Sequence, residues 1–226
     1  MQAVRLACLG ILVALLVSAC GADDRPALIV HTASSLADAL EEIAATAPEL
    51  NVKIKPGGSG QLAASLNGGA PGDLFFSAHP QWVDELIYTK VLEADSRTTI
   101  CGNRMVLIRH RDAGAPYATP QELAKSPRIA LGDPDSVPAG HYAWQTLVAW
   151  QLTKDIDDRM TTTPSARIAL ALVEKKAADA GFVYESDALR SDQVRVDLVI
   201  DPKYHEEIRY TGSIVSRSTQ KENAKK

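Results

Sequence analysis

The stretch that decides the fold is "KPGGSGQLAASLNGGAPGDLFFSAH", which runs from Lys55 to His79. It contains a glycine-rich turn, a helical segment from about Ser59 to Asn67 and the apolar strand "DLFFSA". The segment before it, "NVKIK" (51–55), alternates as a half-buried strand does. A strand, a helix and a second strand in this order favour a parallel sheet covered by helices. Glycine turns of this kind often hold phosphate, but the lysine of a phosphate loop is missing, so the ligand is left open.

The same alternation of strands and helices continues along the rest of the chain. The pattern predicts further helices at about 36–47, 139–151 and 166–178, and further strands at 27–32, 104–110, 128–134, 181–184, 194–200 and 208–215. The character of the sequence changes near Cys101, where a second series begins, so we predict two α/β lobes. The last two strands are expected to return to the first lobe. Two crossovers would then join the lobes and leave a cleft between them.

Length and composition indicate a folded protein with no nucleic-acid partner. The chain has 226 residues, which is enough for two small domains. It is 46% hydrophobic and 23% charged, which fits a folded α/β protein better than a disordered chain. The formal net charge is −4 and no long basic block is present, so nucleic-acid binding is not expected.

The first 20 residues, "MQAVRLACLGILVALLVSAC", predict export. Arg5 precedes an apolar run that ends at Val17, and this run is too short for a comfortable membrane span. The ending before Cys20 resembles the bacterial lipobox, in which the cysteine is lipidated and becomes the first residue. An ordinary signal peptide that contains a cysteine is the alternative. We expect removal of residues 1–19 and a lipid anchor at Cys20, in the periplasm or on the outer face of the cell membrane.

The cysteine count argues against an intramolecular disulfide. Cys8 leaves with the signal peptide and Cys20 would carry the lipid, so Cys101 is left alone. Because Cys101 lies in the apolar stretch "TTICGNRMVLI" (98–108), we expect it to be a buried small hydrophobe rather than a reactive thiol.

Four strand-to-helix junctions carry candidate binding groups, because ligands of open α/β sheets bind beyond the carboxyl ends of the strands. The junctions are "HTASSLADAL" (31–40), "PGGSGQL" (56–62), "GDPDSVPAGHY" (132–142) and "TTTPSARIAL" (161–170). The residues that they place at helix starts are Ser34 and Ser35 with Asp38 in a capping box, Ser59, Ala139 after Pro138, and Ala166 after Pro164. Several converging helix N-termini would hold an anion without a cationic side chain. Each serine is also consistent with an ordinary N-cap, and the glycines with a tight turn.

Two other functional classes remain open. A serine hydrolase would use Ser35 or Ser59 as nucleophile, with His31 or His141 as the base. No G-x-S-x-G, H-E-x-x-H or C-x-x-C motif supports an enzyme, however. A receptor for an amino acid or a polyamine would instead need a charged side chain in the cleft, for which the loops offer only Asp135 and Arg167.

The spacing of the histidines does not suggest a metal site. We expect them at the edge of the core or on the surface; they lie at 31, 79, 110, 141 and 205. Asp133 and Asp135 flank Pro134, which is typical of a turn. Tyr184 ends the strand "GFVY" and fits equally a phenol in the cleft and a tyrosine of the core.

Several of these segments together resemble the periplasmic molybdate-binding proteins of ABC transporters. The matching segments are "ASSLADAL", "SGQLAASLNGGAPGDLFFSAHPQWVDEL", "TTICGNRMVLI", "IALGDPDSVPAGHYAWQTL" and "ARIALALVEKKAADAGFVYESDA", which cover roughly residues 27–200. The resemblance implies a two-lobed periplasmic binding protein of type 2, with a mostly parallel sheet and flanking helices in each lobe. It also implies that the oxyanion is held by the hydroxyls of Ser35 and Ser59, the backbone amides of Ala139 and Ala166, and the phenol of Tyr184.

The resemblance implies a role in transport rather than catalysis. The protein would bind molybdate or tungstate in the cleft and deliver it to the permease subunits in the membrane, as a monomer and without a cofactor. Molybdenum would be held as its oxyanion and not as a bare cation. We predict a lipidated tether at 20–26, a first lobe formed by 27–102 with 197–226, and a second lobe at 103–196.

Three departures from the family pattern carry expectations of their own. Gly58 and Gly60 flank Ser59 where the family has more serines, which would leave one hydroxyl and a looser backbone there. Ala166 replaces a branched residue, which should matter little because only its N–H would bind. The chain ends at "TQKENAKK", where the family continues with a helix that packs on the first lobe. We therefore expect exposed apolar surface on that lobe.

Overall fold

The structure, a computed structural model, describes residues 25–226. The predicted signal peptide and Cys20 lie outside the described residues. Within this range, the chain forms two five-stranded sheets. Their strands are β1 (Leu28–Ala33), β2 (Val52–Gly57), β3 (Leu74–Ser77), β4 (Thr98–Gly102), β5 (Met105–His110), β6 (Ile129–Gly132), β7 (Met160–Thr163), β8 (Ala180–Tyr184), β9 (Val194–Val199) and β10 (Arg209–Ile214). The helices are α1 (Ala37–Ala45), α2 (Ser59–Asn67), α3 (Pro80–Tyr88), α4 (Pro138–Ala149), α5 (Thr153–Ile156), α6 (Ala166–Glu174), α7 (Glu185–Ala188) and α8 (Lys221–Ala224).

Each sheet forms one lobe, and the predicted two-lobed α/β fold is confirmed. The first sheet has the order β2-β1-β3-β10-β4, and the second has the order β7-β6-β8-β5-β9. In the first, β1 runs parallel to β2 and β3, whereas β10 runs antiparallel to β3 and β4. In the second, β6 runs parallel to β7 and β8, whereas β5 runs antiparallel to β8 and β9. Each sheet is therefore mixed: β10 in the first and β5 in the second run against the other four strands, which share one direction.

The second crossover lies later in the chain than the sequence predicts. The strand β9 pairs with β5 in the second sheet, with Val199 opposite Val106. The prediction that both late strands return to the first lobe is therefore wrong for β9. Only β10 joins the first sheet, and residues 200–208 form the connection. The predicted lobe boundary between 196 and 197 falls inside β9.

Burial explains why the predicted strands and helices form. The interior strand β5 is covered on both faces, and four of its residues in a row are fully buried: Met105, Val106, Leu107 and Ile108. On α2, the buried apolar residues Ala63 and Leu66 share one face and pack with Phe75 of β3. Burying a side chain such as Leu66 or Phe75 contributes about 1.5–3 kcal/mol to folding.

The helix α6 ends at Glu174, four residues earlier than predicted. Lys176 adopts a left-handed conformation with φ of 56°. The amides of Lys176 and Ala177 then bond back to the carbonyls of Val173 and Leu172, at 3.0 and 2.8 Å. This is a Schellman ending, which terminates the helix although no glycine marks the position.

Cys101 is exposed, which contradicts the expectation of a buried residue. It lies on β4, the edge strand of the first sheet, and all five residues of β4 are exposed. The apolar stretch that surrounds it in the sequence is divided between this edge strand and the buried strand β5. Partial burial still raises the pKa of the Cys101 thiol, which keeps it protonated near neutral pH.

None of the helices in residues 25–226 has the length and apolar character needed to cross a membrane.

Candidate functional site

A small cavity lies between the lobes, at the carboxyl ends of the parallel strands. All five residues proposed from the sequence line it: Ser35, Ser59, Ala139, Ala166 and Tyr184. The other lining residues are Ala33, Ser34, Gly57, Gly58, Ala78, Val137 and Pro138. No charged side chain occurs among these described lining residues. The cavity rests on a buried apolar cluster that continues from one lobe into the other.

Three helices begin at the cavity. Ser59 is the first residue of α2, Ala139 is the second residue of α4, and Ala166 is the first residue of α6. The N–H groups in the first turn of a helix have no acceptor within that helix, and the helix dipole makes this end positive. Backbone amides of both lobes are therefore available to an anion in the cavity.

The start of α6 differs in one detail from the prediction. Pro164 is not in the first helical turn, because Ser165 is the N-cap and accepts a hydrogen bond from the Ile168 amide at 3.3 Å. Pro138, by contrast, is the first residue of α4, as predicted.

The Ser59 hydroxyl is buried with its hydrogen free to donate. Its Oγ accepts a hydrogen bond from the Ala78 amide at 3.3 Å, and the residue is only 1% exposed. Since the amide uses a lone pair of the oxygen, the hydroxyl hydrogen remains for a ligand. The Ser59 hydroxyl can therefore donate a hydrogen bond to a ligand in the cavity.

Ser35 does not form the predicted capping box with Asp38. The cap of α1 has no side-chain hydrogen bond. Instead, Ser35 Oγ lies 2.6 Å from Tyr210 Oη, and Asp38 pairs with Arg167 of the other lobe. The serine is thus held by the first sheet, while the aspartate contacts the second lobe.

The Tyr184 hydroxyl is buried without a hydrogen-bond partner among the described residues. Tyr184 ends β8, is 2% exposed, and lines the cavity. Burial raises the pKa of Tyr184 well above its ordinary value, so the phenol keeps its proton. An unpaired buried hydroxyl costs about 1–3 kcal/mol, and this cost is a reason to look for a ligand. Of the two alternatives left by the sequence, the structure favours the cavity position over an ordinary core tyrosine.

The glycines around Ser59 let the two lobes approach each other. Gly58 has an ordinary extended backbone, with φ of −70° and ψ of 133°, so its conformation does not require glycine. A Cβ there would lie 2.4 Å from the Pro164 carbonyl oxygen, and a Cβ at Gly60 would lie 2.6 Å from that of Ser136. The Gly60 amide also donates to the Ser136 carbonyl at 2.9 Å. The glycine turn therefore forms a backbone contact across the cleft, which the prediction of a looser loop missed.

Ion pairs and hydrogen bonds join the lobes beside the cavity. Arg167 of α6 pairs with Asp38 of α1 through two bonds, of 2.9 and 2.6 Å. Arg190 Nε lies 2.5 Å from the same carboxylate. The Tyr142 hydroxyl donates to the Ala78 carbonyl of the first lobe at 3.2 Å. The lobes are thus closed over the cavity.

Two histidines with no metal-like spacing in the sequence meet across the cleft. His79 and His141 lie with ring centroids 5.3 Å apart, next to Glu206, and the three offer ligand atoms within 4.8 Å of one another. However, His79 Nδ1 accepts the Gln81 amide at 3.1 Å, so its proton is on Nε2, which donates to Glu206 at 3.2 Å. A metal at this Nε2 would displace that proton and disrupt the cap of α3. The group is better described as an interlobe hydrogen-bond network than as a cation site.

The geometry of a serine hydrolase is not found. Within residues 25–226, neither Ser35 nor Ser59 forms a hydrogen bond with a histidine. His31 bonds the Pro71 carbonyl at 2.9 Å, and His141 lies 3.1 Å from the amide nitrogen of Gln145. The charged groups that an organic solute would need are also outside the cavity lining, since Arg167 is paired with Asp38 and Asp135 lines a neighbouring pocket.

The comparison with known proteins agrees with this arrangement. A family model for bacterial extracellular solute-binding proteins matches residues 28–226. The molybdate-binding protein ModA of Escherichia coli (strain K12) is 31% identical over 207 residues, which cover 85% of this chain and 78% of ModA. A Bacillus subtilis (strain 168) protein, provisionally named as the ABC transporter substrate-binding lipoprotein YvgL, is 32% identical over 212 residues, which cover 92% of this chain and 82% of YvgL. Among solved structures, the periplasmic molybdate-binding protein of Azotobacter vinelandii has the same fold, with a TM-score of 0.80 at 24% identity over 88% of this chain and 89% of that one.

Proposed function

The chain belongs to the bacterial extracellular solute-binding proteins, within the family of periplasmic molybdate-binding proteins of ABC transporters, and we propose that it binds molybdate and tungstate for such a transporter. The anion would occupy the cavity between the lobes. Ser35, Ser59 and Tyr184 would donate through their hydroxyls, and Ala139 and Ala166 through their backbone amides. The loaded protein would then deliver the anion to the permease subunits.

The observation that supports this proposal most is the donor-only character of the cavity. Its lining has hydroxyls and helix N-termini but no charged side chain, and the Tyr184 hydroxyl has no partner among the described residues. Molybdate is a tetrahedral dianion with four acceptor oxygens and no proton near neutral pH. Neutral dipoles held rigidly in a dry site are sufficient for such an ion. This also answers why the glycine turn needs no lysine.

The same donors account for selectivity. Sulfate has the shape and charge of molybdate but is smaller, so its oxygens cannot reach all donors of a rigid cavity at once. Each buried donor left unpaired costs about 1–3 kcal/mol, so two lost contacts give a large discrimination. Phosphate keeps a proton near neutral pH, and a donor-only cavity offers that proton no acceptor.

Calorimetric titration of the processed protein with molybdate, tungstate, sulfate and phosphate tests the proposal. We expect similar affinities for molybdate and tungstate and far weaker binding of sulfate and phosphate. Sulfate or phosphate bound as tightly as molybdate would contradict it. Turnover of chromogenic esters, without any oxyanion-dependent rise in melting temperature, would favour the hydrolase alternative.

We further propose that Cys20 carries a lipid that holds the protein at the outer face of a membrane. The support is the lipobox-like sequence that ends at Cys20, together with the lipoprotein name given to the Bacillus subtilis relative. A tether at 20–26 would leave the two lobes free to meet the permease. Monomeric delivery of one anion per protein is part of the same proposal.

A further inference from the structure

A chain of three polar side chains leads from the first crossover between the lobes to the Ser35 hydroxyl. Asn103 is the first residue of the link between β4 and β5. Its amide nitrogen lies 3.1 Å from Tyr210 Oη, and Tyr210 Oη lies 2.6 Å from Ser35 Oγ. Tyr210 is 1% exposed, so water does not compete for these bonds.

The orientation of the Asn103 amide follows from its other partners. Its Oδ1 accepts a hydrogen bond from the Arg104 amide at 2.9 Å. The NH₂ group must then face the other side, where it donates to Ser186 Oγ at 2.8 Å and to Tyr210 Oη at 3.1 Å. Asn103 therefore supplies hydrogens to both neighbours and accepts from neither.

The direction of the next bond follows in turn. Tyr210 Oη already accepts from Asn103, and its single hydrogen has one remaining partner among the described residues, Ser35 Oγ. Burial raises the pKa of Tyr210, so this hydrogen stays on the phenol. Ser35 Oγ consequently accepts from Tyr210, and its own hydrogen is free for the cavity.

We propose that Asn103 and Tyr210 are positioning residues of the anion site, which together fix the Ser35 hydroxyl as a donor. Neither residue lines the cavity. Without them, the Ser35 hydroxyl could turn and either donate or accept, and the site would lose part of its preference for an anion without a proton. The inference rests on the proposed function, since it assigns a direction to one of the donors of that site.

The hydrogen-bonded chain from Asn103 through Tyr210 to Ser35, which we call the relay, also connects the Ser35 hydroxyl to the first crossover between the lobes. The Asn103 amide bonds Ser186 on α7 of the second lobe and Tyr210 on β10 of the first. In this closed arrangement the two bonds tie the link to both lobes.

Removal of the phenol oxygen is the first test. In Tyr210→Phe we expect molybdate affinity to fall about tenfold, the loss typical of one hydrogen bond that supports a charged group. The ratio of molybdate to phosphate affinity should also fall, because the freed Ser35 oxygen can accept the phosphate proton. If Tyr210 only stabilised the fold, its replacement would weaken the binding of molybdate and of phosphate equally. The matched control is Tyr117→Phe, which removes a buried phenol–serine bond of 2.7 Å to Ser126 within the second lobe and should leave both affinities unchanged.

Reversal of the relay is the second test, and it remains decisive if Tyr210→Phe does not fold. In Asn103→Asp the carboxylate accepts from Tyr210, so Tyr210 must accept from Ser35, and Ser35 can no longer donate to the anion. The control for the added charge is Ser186→Asp, which puts a carboxylate beside the Asn103 amide without reversing it. We expect Asn103→Asp to lose at least about fivefold more molybdate affinity than Ser186→Asp.

Equal losses of molybdate affinity in Asn103→Asp and Ser186→Asp would overturn the proposed role of Asn103 and Tyr210. An unchanged ratio of molybdate to phosphate affinity in Tyr210→Phe would overturn it as well. In either case, molybdate binding by the wild-type protein would still uphold the proposed function. A wild-type protein that binds neither molybdate nor tungstate would overturn both. The two failures are thus distinguishable in one set of titrations.

Discussion

Arg167 of the second lobe donates two hydrogen bonds to the Asp38 carboxylate of the first lobe, one from each terminal nitrogen, at 2.9 and 2.6 Å. The hydrogen bonds from Arg167 hold the pKa of Asp38 below its usual value. Arg167 directly follows Ala166, which lines the cavity. The ion pair therefore forms at the edge of the site and only between closed lobes.

Loss of this ion pair should weaken molybdate binding, because it makes closure of the two lobes less favourable. In Asp38→Asn we expect molybdate affinity to fall about two- to fivefold, the range for a partly exposed ion pair, because the closed form becomes less populated. The loss should shrink at high salt. The control is Asp84→Asn, which breaks the pair of Asp84 with Arg97 within one lobe, at 2.6 and 3.2 Å. Calorimetry that finds the same loss in both variants would contradict a role in closure.

A methyl group at Gly58 should block closure. In Gly58→Ala the added Cβ would meet the Pro164 carbonyl oxygen at 2.4 Å, and this contact exists only between closed lobes. We expect molybdate affinity to fall by a factor of ten or more, about 1.4 kcal/mol, with little change in the melting temperature of the ligand-free protein. Gly114→Ala is the control, because nothing lies within 4 Å of its added Cβ. Normal binding by Gly58→Ala would show that the lobes need not approach this closely.

The three hydroxyl donors should each contribute directly to affinity. Ser35→Ala, Ser59→Ala and Tyr184→Phe should weaken molybdate binding by about 1–3 kcal/mol each, the value of a hydrogen bond to a charged group. Tyr184→Phe should leave the melting temperature of the ligand-free protein unreduced, because its hydroxyl has no partner among the described residues. As controls that keep the N–H, Ala139→Gly and Ala166→Gly should bind much closer to wild type. Unchanged affinity in Ser59→Ala would remove the glycine turn from the site.

The lining residues were predictable because their signals are local. Helix starts can be recognised from a few neighbouring residues, and the α/β pattern alone places the ends of the parallel strands at one edge. Ser35, Ser59, Ala139 and Ala166 all belong to such junctions, and Tyr184 ends a strand. The strand–helix order of the opening stretch was likewise local, and α2 has the predicted bounds.

What could not be predicted depends on contacts between distant parts of the chain. The partner of Asp38 is 129 residues away, and Tyr210 lies 175 residues from Ser35. The need for glycine at Gly58 comes from a carbonyl of the other lobe and leaves no trace in its own backbone angles. Cys101 was misjudged because sequence does not show which strand lies at the edge of a sheet.

Lipid attachment should depend on Cys20 alone. In Cys20→Ser we expect loss of fatty-acid labelling and loss of partitioning into detergent, because the thiol that would carry the lipid is gone. The control is Cys101→Ser, which removes the exposed thiol of β4 and should leave labelling unchanged. Wild-type protein recovered with residues 1–19 still attached would argue for a different anchor or none.

Asp187 is a buried carboxyl that should make the protein less stable as pH rises. It is 2% exposed, and neither of its oxygens has a hydrogen-bond partner among the described residues. The nearest cation is Arg167, whose Nε lies 3.5 Å from Oδ1. Burial raises the pKa of Asp187 to about 6, against the attraction of Arg167. The folded protein therefore binds this proton more tightly than the unfolded chain does.

The sign of the effect follows from this difference. Between the unfolded pKa of 3.8 and the folded pKa of about 6, the folded state holds more protons, so its stability falls as pH rises through this window. The shift corresponds to at most about 3 kcal/mol of lost stability at neutral pH. In Asp187→Asn the fall in the free energy of unfolding between pH 3.8 and about 6 should lose the part that Asp187 causes. At pH 7 the variant should be as stable as wild type or more so. Urea unfolding of both proteins at several pH values measures the two slopes. Parallel slopes would show that Asp187 titrates alike in the folded and unfolded states.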